Sequence, residues 1–115
     1  MLPEWKLFIK EIECKKENLQ GADLGNTKLM GANLAGADLT DADLSISYLI
    51  KADLSNAVFE AVKLKGAKFD GANLFGTKFI KIADLTKEEL TALKKRTNSY
   101  VNLDREPLPD YYIFD

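Results

Sequence analysis

The residues able to do chemistry are few and poorly matched to one another. The chain has no histidine, which removes the commonest general base, the commonest metal ligand and the usual pH switch together. Its one thiol, Cys14, has no partner for an internal disulfide. Asp38, Asp41 and Asp43 place three carboxylates within six residues. Such a cluster could hold a hard cation, yet a calcium loop needs a defined spacing closed by a glutamate, and that glutamate is missing. Glycines can cradle phosphate, but Gly21, Gly31, Gly36, Gly66, Gly71 and Gly76 are spaced in multiples of five. They read as turn residues of a repeat, not as a phosphate loop. With no nucleophile motif either, the sequence argues against an enzyme and assigns no catalytic, cofactor-binding or metal-binding residue.

The elements that would carry any site are set by that same period. A leucine or phenylalanine occupies every fifth position from Leu19 to Phe79, thirteen in all. Two residues before each one after the first stands a small residue, such as Ala22, Thr27, Ser47, Val62 or Ala72. On an α-helix a five-residue step turns by about 140° and would scatter the leucines around the cylinder. On a flat strand an odd step sends successive leucines to opposite faces. A chain that bends once per unit gathers them on one side. Both the large residue and the small one two before it then point inward. The other three positions, rich in Asp, Asn, Gly, Lys and Ser, face out or turn the corner.

Stretches such as Ala32-Asn33-Leu34-Ala35-Gly36 and Ala37-Asp38-Leu39-Thr40-Asp41 resemble the A(D/N)LXX unit of pentapeptide-repeat proteins. The resemblance covers residues 17–82. It implies an all-β solenoid, a right-handed quadrilateral β-helix with four units per coil and a helix at its C-terminal end; the flanking residues add a short helical cap at the N-terminus, so that both termini are capped. At strand spacing of about 4.8 Å the repeat body would stand roughly 15–17 Å tall. The whole of residues 1–115 is then expected to be a single domain: an N-terminal cap over 1–16, the β-helix over 17–82, and a C-terminal helix and tail over 83–115.

Both ends depart from the repeat. Leu2, Trp5, Phe8, Ile9 and Ile12 recur at near-helical spacing behind Pro3, which predicts a short helix over residues 2–13. It would serve as a lid on the first coil, or as a membrane-surface or partner helix. Ile12 and Cys14 also fit the small and central positions of a degenerate first unit, which would bury Cys14. After Phe79 the register breaks, and Thr86-Lys87-Glu88-Glu89 reads as a capping box flanked by a Leu85/Leu90 staple. The expected helix runs over 87–96 with Lys94, Lys95 and Arg96 favourable at its C-terminal end. Beyond it, Tyr111, Tyr112 and Phe114 belong to an apolar tail that either folds back on the body or docks on another chain.

A closed core leaves function to the surface. Residues twenty apart should stack, so Asp23, Asp43 and Lys63 form one column and Asn33, Asp53 and Asn73 another. Residues 17–60 carry seven acidic residues against two lysines, whereas 61–81 carry five lysines against Asp70 alone. Met30, Tyr48 and Ile50 occupy outward positions on one wall, with Val58, Phe75 and Ile80 on others. The first three, with Tyr111, Tyr112 and Phe114, make the candidate partner surface; Met30, Tyr48 and Ile50 also suit a bed for the tail. Charged residues are 30% of the chain and its net charge is −2. No nucleic-acid partner is expected, nor a membrane one, since no apolar run is long enough to span a bilayer. Without a secretory signal at the start, the expected location is the cytoplasm. The expected role is a non-enzymatic protein–protein interaction module, with a homodimer through the C-terminal region as one possible assembly. The alternative, implied by the resemblance, is a DNA mimic acting on DNA gyrase or topoisomerase. The short rod and the basic upper coil depart from that pattern.

Overall fold

A computed structural model of the chain describes residues 3–98. Its governing feature is a corner in every unit. Each fifth residue from Gly21 to Lys81 has positive φ, between 54° and 80°, whether it is glycine or not. Hydrogen bonds such as Ala32 N to Leu29 O and Ala37 N to Leu34 O close the corners. Positive φ at the third turn residue alone is the pattern of a type II turn.

Between corners the chain is extended for too short a distance to form long strands. Each wall pairs with the wall one coil away through parallel bridges, Asp23 to Asp43 to Lys63, Lys28 to Tyr48 to Lys68, Asn33 to Asp53 to Asn73, and Asp38 to Val58. The fourth column extends into β1 (Val58–Glu60) and β2 (Lys78–Ile80), where Phe59 lies opposite Phe79. The partner is always twenty residues on, so four units complete one turn of the coil. The two columns expected from the sequence are both present. The architecture is a β-helix in which a wall contributes one rung, because the next corner removes the following residue from the ladder.

Inside, the expected residues close the shaft. Leu29, Leu34, Leu39, Leu44, Leu49, Leu54 and Phe59 are fully buried, as are Ala32, Ala37, Ala42, Ala52 and Ala57. The upper shaft holds larger rings: Phe59 meets Phe79 edge-on at 5.1 Å and Phe69 at 6.2 Å. Polar inward residues are satisfied by backbone carbonyls of the coil. Ser47 Oγ donates to Leu44 O, and Thr77 Oγ1 donates to Leu54 O in the coil below.

Both ends are sealed by helices that supply what a missing coil would supply. At the bottom, α1 (Glu4–Cys14) turns Ile9 and Ile12 into the core with Trp5 and Phe8 packed beside them. Pro3 stands at its N-cap, and its carbonyl accepts from Lys6 N and Leu7 N. Glu13 accepts from Asn33 N at 2.7 Å, and Lys16 O accepts from Asp38 N. Cys14 is exposed, not buried. The sequence pattern read it as part of a first repeat unit, but it is the last residue of α1, and the helix that turns Ile12 inward leaves Cys14 outside.

At the top, Asp84 accepts from Leu64 N and Lys65 N, standing where lower coils present a carbonyl. The capping box forms as expected: Thr86 Oγ1 accepts from Glu89 N, and Glu89 accepts from Thr86 N. The helix it starts, α2 (Lys87–Lys95), ends one residue before the expected limit. Leu85, Leu90 and Leu93 pack on the core. Arg96 follows, half-buried, and its Nη2 donates to Phe69 O at 2.8 Å and to Ala72 O at 2.6 Å. Desolvation holds the Arg96 guanidinium below its usual value, offset in part by Asp70.

Because the shaft is one residue wide, its occupants should dominate stability. Leu44→Ala is expected to cost about 2–5 kcal/mol, whereas Asp43→Ala on the outer face loses only local hydrogen bonds and should cost about 1 kcal/mol. Thermal melts of the two variants check this, and the reverse ranking would overturn the inward and outward assignment.

Candidate functional site

With the shaft filled, the surfaces available for recognition among the described residues are the four walls, their corners and the outer faces of α1 and α2. The ladder carboxylates on those walls are not held chiefly by pairing between coils. Each folds forward onto its own chain. Asp43 accepts from Ser45 N at 2.9 Å and Ser45 Oγ at 2.6 Å. Asp53 accepts from Ser55 N and Oγ, and Asp38 from Thr40 N and Oγ1. Gln20 Nε2 adds a further bond to Asp38. These are Asx-type turns, in which a side chain holds the backbone two residues on. They consume carboxylate acceptors that the sequence left open for interaction between columns.

The electrostatics follow from the same bonds. Donation from the Thr40 hydroxyl, then its backbone N–H, then Gln20, lowers the Asp38 carboxyl below its ordinary value. Donation from the Ser45 hydroxyl and N–H does the same for Asp43, with the charge of Lys63 the smallest contribution. Glu89 is lowered by its bonds to Thr86. Among the described residues no group of three or more acidic or thiol side chains could hold a metal ion. Asp38, Asp41 and Asp43 therefore do not converge. Asp41 turns a corner, while the other two serve the turns beside them. No helix among the described residues is long and apolar enough to cross a membrane.

The candidate partner residues divide. Met30 and Ile50 are 3% and 2% exposed, so they are not the open apolar patch that their register suggests. Register settles which way a side chain leaves the coil; it does not reveal what lies over it. Tyr48 is half-buried. Tyr111, Tyr112 and Phe114 lie outside the described residues. Phe75 and Ile80 are exposed, at 41% and 40%, as their outward positions require. Val58 is half-buried within β1.

The most exposed large apolar residue among the described residues carries no motif in the sequence. Ile46 is 57% exposed and has φ of 59°. It is the only β-branched residue among the thirteen corners; the others are Gly, Asn, Asp, Lys or Ala. A β-branched side chain in the left-handed region is a steric outlier. Ile46 stands in one corner column with Asn26 below and Gly66 above. A side chain at Gly66 would come within 3.3 Å of Ile46 Cγ1, so Gly66 leaves the isoleucine room. The available signal was compositional: an isoleucine in the column where Asn and Gly stand. On one side of Ile46 is the wall that carries Asp43, Ser45, Lys63 and Lys65; on the other is Tyr48.

A family model described as pentapeptide repeats matches residues 18–45 and 47–79, in eight copies. No curated protein sequence matches the chain. Among solved structures, it is similar to the pentapeptide repeat protein Rfr23 of the cyanobacterium Cyanothece 51142, at 36% identity and a TM-score of 0.48 over 50% of this chain and 40% of that one. A pentapeptide repeat protein from the thylakoid lumen of Arabidopsis thaliana is 23% identical, with a TM-score of 0.31 over 68% of this chain and 74% of its own. HetL of Nostoc sp. strain PCC 7120, described as involved in heterocyst differentiation regulation, is 25% identical, with a TM-score of 0.30 over 50% and 40% of the two chains. The match thus spans well under two thirds of both cyanobacterial proteins.

The lowered carboxyls define an acid limb. Asp38 and Asp43 have depressed native values, so their stabilisation is complete above the ordinary carboxylate value of 3.8 and is lost as pH falls through the lower native value. Melting temperature should fall between pH 5 and pH 2, and it should fall less in the double variant Asp38→Asn, Asp43→Asn. The amide oxygen of asparagine still accepts from the turn but does not titrate there. Separately, Ile46→Asn should raise stability by about 1 kcal/mol by relieving the left-handed strain, measured by chemical denaturation at neutral pH.

Proposed function

The chain belongs to the pentapeptide-repeat family, and from that premise we propose that it is a non-enzymatic protein–protein interaction module acting through the outside of a right-handed, four-sided β-helix. The filled shaft supports this reading, since a coil whose interior is taken up by buried leucine, phenylalanine and alanine side chains meets other molecules on its outside. The observation that carries it is Ile46. A large apolar side chain is held in solvent, at a corner where its own backbone conformation is unfavourable. Strain of this kind persists where function maintains it, and stability is commonly sacrificed at such places.

The recognition surface is the Ile46 corner with the adjoining face of Asp43, Ser45, Lys63 and Lys65. An apolar anchor bordered by charges of both signs suits a protein surface that offers a small apolar pocket within a polar rim. It suits duplex DNA poorly, because Asp43 and Lys63 occupy one column.

The test uses the purified chain as bait in native lysate, beside Ile46→Asn and beside Leu7→Asn, which alters an exposed apolar residue on α1. A partner retained by the parent and by Leu7→Asn, but reduced about tenfold or more with Ile46→Asn, supports the assignment. Equal recovery with Ile46→Asn removes the corner from the interface. In parallel, inhibition of DNA gyrase supercoiling by the purified protein would favour the DNA-mimic alternative over this one.

A further inference from the structure

The wall that carries Asp43 and Lys63 is complementary to itself when inverted. Among the described residues, only the bridge from Asp43 to Lys63 sets a carboxylate directly below an amine. In the adjoining corner column Ile46 stands directly below Gly66. An acid therefore lies one rung under a base, and beside it an apolar side chain lies one rung under a position with no side chain. Lys63, Ile46 and Gly66 are exposed, and Asp43 is half-buried. The turn at Asp43 uses its Oδ1, which accepts from Ser45 N and Oγ; Oδ2 is not part of the turn.

We propose that the partner of this face is a second copy of the chain, packed side by side and antiparallel about a two-fold axis that runs along the wall midway between the Asp43 and Lys63 rungs. Such an axis exchanges the two rungs and sets each column against the same column of the other copy. Asp43 meets the partner's Lys63 and Lys63 meets the partner's Asp43, so four charges alternate in sign. Ile46 lies over the partner's Gly66, where no side chain obstructs it, and gives up part of its exposed surface. Symmetry makes the same contact a second time. Both offsets are one rung, about 4.8 Å, so a single axis satisfies both columns. That agreement favours a second copy over an unrelated protein. A parallel pair would instead hold like rungs level, opposing acid to acid and amine to amine. The antiparallel pair is isologous, so it closes on itself and does not propagate. A face three rungs tall falls short of the about 800 Å² per partner of standard interfaces, so the pairing depends on concentration. The inference rests on the Ile46 corner as the recognition surface and names what that surface recognises.

Sedimentation equilibrium of the purified chain, from about 5 µM to about 1 mM, tests it. The parent should pass from monomer toward dimer, and no further, as concentration rises. Lys63→Asp sets carboxylate against carboxylate and should raise the dissociation constant at least about tenfold, as should Ile46→Asn. The double variant Asp43→Lys, Lys63→Asp restores opposite charges across the axis and should come within about threefold of the parent. Lys78→Asp makes the same reversal on the adjoining wall and should also stay within about threefold. Circular dichroism confirms that each variant is folded. A parent that stays monomeric overturns the proposal. A dimer indifferent to Lys63→Asp and Ile46→Asn lies on another surface and also overturns it, as does a folded double variant that fails to recover. Should the double variant not fold, salt decides: higher ionic strength should weaken the parent pair and strengthen that of Lys63→Asp, and the same trend in both overturns the proposal. The corner reading is judged separately. If the parent is monomeric while a lysate protein is still lost with Ile46→Asn, the corner recognises a different protein and the pairing alone fails. If the parent is monomeric and Ile46→Asn loses nothing from the lysate, both fail.

Discussion

The left-handed corner at every fifth residue is the constraint on which the rest depends. It cuts the extended chain into walls too short to pair more than briefly. Stability must then come from stacking, since the backbone groups of one wall are satisfied by the walls above and below it. Leu24 N bonds Asp43 O, Leu44 N bonds Lys63 O, and the same step repeats on the other walls. A wall removed from this stack would expose unpaired groups on both faces, so no single coil is expected to persist alone.

That dependence makes the two ends the vulnerable places, because each presents an open ladder edge. The chain closes them with side chains in the roles of missing backbone. Glu13 accepts an amide that a lower coil would have taken, and Asp84 accepts the Leu64 amide that an upper coil would have taken, together with that of Lys65, which has no Asx partner two residues before it. Arg96 supplies the opposite sign, giving a donor to two carbonyls of the last coil. A single planar guanidinium reaching both carbonyls suits arginine better than lysine, whose ammonium is a compact and strongly hydrated charge. With α1 and α2 over the two ends of the shaft, the ladder edges are not left open for another strand to pair with.

How much of this was legible in the sequence depends on the range of the interaction. The shaft residues and the columns twenty apart were readable because the fivefold repeat fixes them, and the Thr86–Glu89 capping box because it is a motif of four adjacent residues. Cys14 was misassigned because two registers, helical and fivefold, overlap at Ile12, and only packing decides between them. Met30 and Ile50 are buried although their register reads as open surface, since the fivefold register carries no information about what packs over a wall. Asp84 and Arg96 were invisible as ladder caps because their partners lie nineteen to twenty-seven residues away. The Asp–Ser and Asp–Thr turns are local, but their two-residue spacing lies inside the fivefold pattern and does not stand out from it.

Ile46 shows where local legibility and function part. A corner accepts glycine or asparagine at little cost, and this coil uses one of them at eight of its thirteen corners. Asp41, Lys51, Ala61 and Lys81 are costlier occupants, but none is branched at Cβ, and three of the four carry charge that keeps them in solvent. Isoleucine gains neither the conformational freedom of glycine nor the hydration of lysine. Its neighbours do not compensate by burying it, for Gly66 above offers room without enclosure. The folded state therefore holds Ile46 against both of its local preferences, backbone and solvent. A second surface that takes up the side chain relieves the exposure, though not the backbone strain. The corner that is least consistent with the repeat is thus the one with the most to gain from contact with another protein.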